Sequence, residues 1–177
     1  MKRTHGSRRA AGAVAGLTLV SGLATGALLG TAVPAQAYSP NPRIQPIPYD
    51  TDACPCRHPD SYDGTYFEHD PGGVAMKIHL DHKGTWVGKV EFHPYGEMLW
   101  VYDTANDDDT YYVTVSYYNE AGRKVRIGGV MSAGTSSAAV DYNTYNLDIP
   151  EGRQLIIDLY DDSGLKDRIS SVRGAVA

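Results

Sequence analysis

From Val74 onward, apolar and polar residues take turns along the chain. Val74, Met76, Ile78 and Leu80 alternate with Ala75, Lys77 and His79, the period-2 signature of a strand with one buried face. Asp81-His82-Lys83-Gly84 interrupts it as a turn. Residues 85–92 resume it, with Trp86, Val90 and Phe92 assigned to one face. After His93-Pro94-Tyr95-Gly96, a third strand at residues 97–103 sends Leu99 and Val101 one way and Met98, Trp100 and Tyr102 the other. Two useful faces suit a central position. Residues 104–109 form a polar loop. Residues 110–119 are the longest strand, with Tyr111, Val113, Val115 and Tyr117 aligned. Asn119-Glu120-Ala121-Gly122 is a hairpin turn into a fifth strand carrying Val125 and Ile127. Gly128-Gly129 and residues 133–137 read as loops. Tyr145, Leu147 and Ile149 mark a sixth strand, and Leu155, Ile157 and Leu159 a seventh. A short last strand lies near residues 169–172.

About eight short strands with regular turn signals and no amphipathic helix predict an all-β fold. The expected class is an antiparallel Ig-like β-sandwich at residues 74–177. Its length is enough for an independent core.

Residues 38–73 look different. Pro40, Pro42, Pro46, Pro48, Pro55, Pro59 and Pro71 each fix φ and remove an amide donor, and apolar residues are sparse. This segment is expected to be a Pro-rich, largely irregular leader, strapped to the domain at Tyr66-Phe67.

Residues 1–37 have the three zones of a secretory signal peptide. Lys2, Arg3, Arg8 and Arg9 give a positive start, residues 10–30 are uncharged, and Ala35-Gln36-Ala37 is a small-x-small cleavage site. The expectation is export with cleavage after Ala37, leaving no membrane span. Ser7-Arg8-Arg9 raises the twin-arginine route, but Ala10, Ala11 and Gly12 stand where apolar residues usually follow, which favours the general secretory route.

Composition sharpens this picture. The chain has 177 residues, 16 basic and 21 acidic. Removing residues 1–37 takes away four basic residues and no acidic one, so the net charge falls from −5 to −9. Such a chain is repelled by phosphate backbones and anionic lipid, which argues against nucleic-acid or membrane-surface binding. Thirteen Tyr against two Phe favour strands.

A family likeness rests on Val90-Glu91-Phe92, Tyr95-Gly96-Glu97, Leu99, Val101, Asp103-Thr104 and Asp107-Asp108. It continues through Tyr145-Asn146-Leu147, Pro150-Glu151-Gly152 and the Gly-Ala-Val-Ala terminus at residues 174–177. In these residues the chain resembles small secreted actinobacterial β-sandwich proteins of uncharacterised function. The resemblance runs from about Val74 to the end, and its motifs are turns and strands. It departs from the pattern at Asp108 and Asp109, where a Gly usually follows the loop aspartate. It implies fold and export, and no activity.

Candidate chemistry is sparse. Cys54 and Cys56 are the only cysteines and would oxidise outside the cell, as a disulfide closing a very small loop. With His58 and His69 they are also a candidate soft-metal set, at a spacing unlike common zinc patterns. Asp103, Asn106, Asp107 and Asp109 concentrate oxygen ligands that would suit calcium. The same residue types also form solvated turns by bonding their own backbone. Trp86, Trp100, Tyr102, Tyr112 and Tyr117 are candidates for an aromatic patch that stacks on sugar rings or anchors a protein. Ordinary cross-strand packing would use such residues equally well. His79, Asp81, His82 and His93 are the raw material for an enzyme site, but neither G-x-S-x-G nor H-E-x-x-H occurs. The expectation is a secreted, non-enzymatic module that binds an extracellular protein or glycan. The alternatives are a secreted enzyme with a scattered His/Asp site, or a structural or inhibitory export.

Overall fold

A computed structural model describes residues 38–177. The predicted signal segment, residues 1–37, lies outside the described residues. Eleven strands follow one another with no helix among the described residues: β1 (Arg43–Asp50), β2 (Cys56–Arg57), β3 (Tyr66–Phe67), β4 (Val74–His82), β5 (Thr85–His93), β6 (Met98–Asp103), β7 (Tyr112–Tyr118), β8 (Lys124–Met131), β9 (Asp141–Asn146), β10 (Gln154–Tyr160) and β11 (Arg168–Val176). The all-β, antiparallel class is as expected.

The strands β1-β4-β5-β6-β9 form one layer and β8-β7-β10-β11 the other. A single bridge between Val176 of β11 and Val74 of β4 joins them, so one sheet folds over itself into a nearly closed, barrel-like sandwich. Alternation does the filling. Ile78, Leu80, Val90, Phe92, Leu99 and Val101 come from the first layer and Val113, Val115, Leu155, Ile157 and Leu159 from the second, all essentially buried. Each such side chain contributes about 1.5–3 kcal/mol on leaving water.

Several expectations need correction. The leader is not simply irregular: Arg43–Asp50 is a full strand, paired residue by residue with β4. Pro46 and Pro48 are two apart, so both missing amides fall on the same side of the strand. An edge strand tolerates that, because one side has no partner. Ile44 packs against the main core.

Trp86 does not share a face with Val90 and Phe92. Leu80 opposes Gly88, but Asp81 opposes Trp86, so Val87 is an extra residue in β5. A one-residue bulge exchanges faces beyond it. Gly128-Gly129 lies inside β8, where the ladder jumps from Val115–Ile127 to Val113–Met131 and Gly128 has a φ of 63°. The sixth strand ends at Asn146, with Leu147 and Ile149 buried just beyond it.

Because β1 and β4 pair throughout, residues 51–73 are the long connection of one hairpin. Thr51 pinches its base: its hydroxyl bonds the Asp70 and Gly73 carbonyls at 2.9 and 2.7 Å. This connection, the strap, lies back across the outer face of the first layer. Phe67 anchors it at 1% exposure, in a small second core with Cys54, Ala75 and Tyr49. The expected attachment at Tyr66-Phe67 is thus made by Phe67, while Tyr66 remains exposed.

Candidate functional site

The outer face of the first layer alternates against the core residues. It therefore carries Lys77 and His79 from β4, Lys89, Glu91 and His93 from β5, and Trp100 and Tyr102 from β6. By pattern these are solvent positions. The strap makes them an interior: Lys77, Lys89 and Glu91 are 2%, 1% and 1% exposed.

The strap brings Asp60, Asp63 and Thr65 onto them. Lys77 Nζ donates to Asp60 Oδ2, the His58 carbonyl and Thr65 Oγ1, each at 2.7 Å. Lys89 Nζ donates to Asp60 Oδ2, Asp63 Oδ1 and Glu91 Oε1 at 2.8, 2.7 and 2.9 Å. An ammonium has three protons, so both lysines are fully used. Asp60 Oδ1 accepts the amides of Tyr62 and Asp63 at 2.8 and 3.1 Å. Burial alone would raise the Asp60 carboxyl, but bonds from Lys77, Lys89 and the two amides outweigh it and hold it well below the usual carboxylate range. Asp63 and Glu91 are lowered in the same way, burial being overcome chiefly by Lys89 for Asp63 and by His93 and Lys89 for Glu91. His93 Nε2 lies 3.3 Å from Glu91 Oε2.

Asp60, Asp63 and Glu91 bring three ligand atoms within 4.8 Å of one another, as a metal would require. Lys89 Nζ already sits within bonding distance of all three carboxylates. The cation of this cluster is an ammonium, and a metal would have to displace it.

Beside the network lies an open groove of about 540 Å³, lined by Tyr62, Asp63, Glu91, His93, Trp100 and Tyr142 among others. Three of the rings that border it stack on one another. Trp100 stacks on Tyr102 at 6.2 Å and on Tyr142 at 6.0 Å, both at 14°, and Tyr102 meets Tyr142 at 5.6 Å and 26°. The register explains this: Trp100 opposes Thr144, and Tyr102 opposes Tyr142 across β6 and β9. Tyr102 is buried, bonded to Asp63 and capped by Lys89 Nζ at 4.3 Å from its ring centre. Trp100 is half-buried and Tyr142 exposed, so these two present the platform.

The predicted aromatic patch is thus divided. Trp100 and Tyr102 belong to the groove. Trp86 lies on the same face but packs on His79 at 4.2 Å, beside a second, more polar groove with Lys77 and Arg57. Tyr112 and Tyr117 sit on β7 in the other layer. Tyr117 packs against the core beneath Arg153, and Tyr112 points the opposite way. Tyr142 was missed because the sixth strand was expected to begin later. The ionic network was missed because the contacts that join the strap to the sheet span 12 to 29 residues.

Asp103 is 3% exposed and accepts the Ala105 amide at 3.1 Å. Its carboxyl is pushed up to about 6, first by burial and then by Asp107 and Asp141. Asp107 accepts the Asp109 amide in a local turn bond, and Asn106 Nδ2 donates to the Ser137 carbonyl in a neighbouring loop. Cys54 and Cys56 are bonded to each other with Cα atoms 4.6 Å apart, which removes both thiolates from a metal set. His58 stacks on Tyr49 at 3.8 Å. Asp81 accepts the Gly84 amide at its turn, and His82 packs edge-on to Tyr38. Among the described residues no helix is long and apolar enough to cross a membrane. Comparison with family models, curated proteins and solved structures finds no match to this chain.

Proposed function

We propose that the chain is exported and that residues 38–177 act as an extracellular binding module. Its ligand is a neutral glycan held in the groove between the strap and β9. The observation that carries this is the platform of Trp100 and Tyr142, braced by Tyr102. A sugar ring lays its C–H face on such rings while its hydroxyls reach polar groups alongside, here Asp63 and His93. The acidic surround disfavours an anionic polysaccharide. The platform is rigid because Tyr102 is fixed by the ionic network beneath it, so little ordering is lost on binding. The sequence supports export through the positive start, uncharged run and Ala35-Gln36-Ala37. The finer Ig-like assignment rests on strand number, domain length and turn spacing.

A hydrolase at the same groove is disfavoured by chemistry. Glycoside cleavage needs a carboxylic acid held protonated near neutral pH. Asp63 and Glu91 are held the other way.

The test is a titration of neutral and acetamido oligosaccharides followed by tryptophan fluorescence, with retention on insoluble polysaccharide alongside. Trp100→Ala and Tyr142→Ala should each weaken binding by about tenfold or more, and Tyr112→Ala on the other layer should not. Equal retention of wild type and all three variants, or no binding by any, would reject the proposal.

A further inference from the structure

We propose that the fold contains a receptor for its own processed N-terminus: the α-ammonium freed at Tyr38 by hydrolysis of the Ala37–Tyr38 peptide pairs with the buried carboxylate of Asp161. The cleavage half rests on the export reading above; the docking half does not.

Tyr38 is the first described residue and is 2% exposed, packed into the main core. Its backbone nitrogen donates to Asp161 Oδ1 at 2.9 Å, across 123 residues of sequence. Asp161 is 1% exposed, and its other oxygen, Oδ2, is buried with no partner among the described residues. A buried carboxylate with an orphan oxygen is costly. The surroundings worsen it. Asp167, Asp109 and Asp162 face Asp161 and, after burial itself, hold its carboxyl above the ordinary value. Asp103, Asp107 and Asp109 also face Tyr38, His82 packs against its ring, and Lys166 stands beside Asp162. A place so built lacks a donor and a positive charge.

Processing supplies both. Water adds across the Ala37–Tyr38 amide and the C–N bond breaks. Ala37 keeps a carboxylate and Tyr38 gains an ammonium, the catalyst being a peptidase that reads small-x-small sites. One N–H becomes three, with a full charge. The receiving turn between β10 and β11 is already rigid: Asp162 Oδ2 accepts the amides of Lys166 and Asp167 at 2.9 and 2.7 Å, and the Asp161 amide bonds the Asp167 carbonyl. Asn41 Nδ2 reaches Asp167 at 3.4 Å, so the segment after Tyr38 is tied to the same turn.

The experiment compares protein beginning at Tyr38, released from a fusion by a protease that leaves nothing behind, with protein beginning at Ala37. At pH 7 the Tyr38 form should melt on the order of 5 °C higher. The gap should close at pH values above about 9–10, where the amine is neutral, and should vanish in Asp161→Asn. Identical melting of the two forms at pH 7, or a gap that survives Asp161→Asn, would overturn the docking. The pH arm uses unmutated chains, so it stands even if Asp161→Asn does not fold. N-terminal sequencing of protein exported by a suitable host tests the cleavage separately: a start at Tyr38 supports it, and any other first residue overturns it.

Discussion

Lys89 Nζ lies 2.8 Å from Asp60 Oδ2, although 29 positions separate the two residues in the chain. The bond fastens the strap to β5. Removing one partner strands the other charges where water does not reach. Asp60→Ala should therefore cost about 3–5 kcal/mol and expose residues 57–66 to protease. Urea unfolding and limited proteolysis check this. A loss below about 1 kcal/mol with the strap still protected would contradict it.

The same network sets an acid limit. Asp60, Asp63 and Glu91 have lowered values when folded. Their contribution is present above the ordinary carboxylate range, near pH 4, and is lost as pH falls through the folded values. The deficit of Asp60→Asn relative to wild type should be full at pH 7 and shrink below about pH 3. Melting curves from pH 2 to 7 would show a pH-independent deficit if the idea is wrong.

Asp103 acts with the opposite sign. Its carboxyl releases a proton near 3.8 unfolded and about 6 folded. Between those values the folded chain holds more protons, so stability falls as pH rises and stays reduced above 6. Asp103→Asn keeps an oxygen for the Ala105 amide and removes the charge. It should stabilise by about 2 kcal/mol at pH 7 and by almost nothing at pH 3. Equal effects at both pH values in urea titrations would rule this out.

Tyr111 spans the interior to place its hydroxyl 2.8 and 2.7 Å from the carbonyls of Lys89 and Tyr102. Its ring passes over Gly88, where a Cβ would run into it and stand 2.8 Å from the Tyr102 carbonyl oxygen. Gly88→Ala should destabilise by about 2–3 kcal/mol through overpacking, and Tyr111→Phe by about 1–2 kcal/mol through the lost bond. In a double-mutant cycle the two should not add, since both disturb one contact.

The sandwich was legible wherever a strand keeps one face dry. Ile78, Leu80, Val90, Phe92, Leu99 and Val101 could be assigned from alternation alone, and so could the turns at Lys83-Gly84 and Gly122, whose backbones take positive φ. Legibility ended where a second layer covers polar positions. Lys77, Lys89 and Glu91 alternate with core residues as solvent-facing groups do, and nothing local tells that Asp60 and Asp63 will close over them. Arg43–Asp50 was hidden by prolines that are harmless only because the strand has a free edge. Trp86 was misplaced because a bulge leaves no mark on periodicity before the partner strand is known. Trp100 and Tyr102 were legible as aromatics sharing the face opposite Leu99 and Val101; Tyr142, their third member, needed the register of β9.

The extra residue at Val87 shows how a chain can trade the contents of two surfaces without changing a single letter. Were Val87 instead kept and paired in regular alternation, Trp86 would turn toward the oily interior and leave His79 without its neighbour. Along β5, then, a gain or loss of length is a change of meaning, and insertions that a loop would absorb silently would here redraw what the molecule shows to its surroundings.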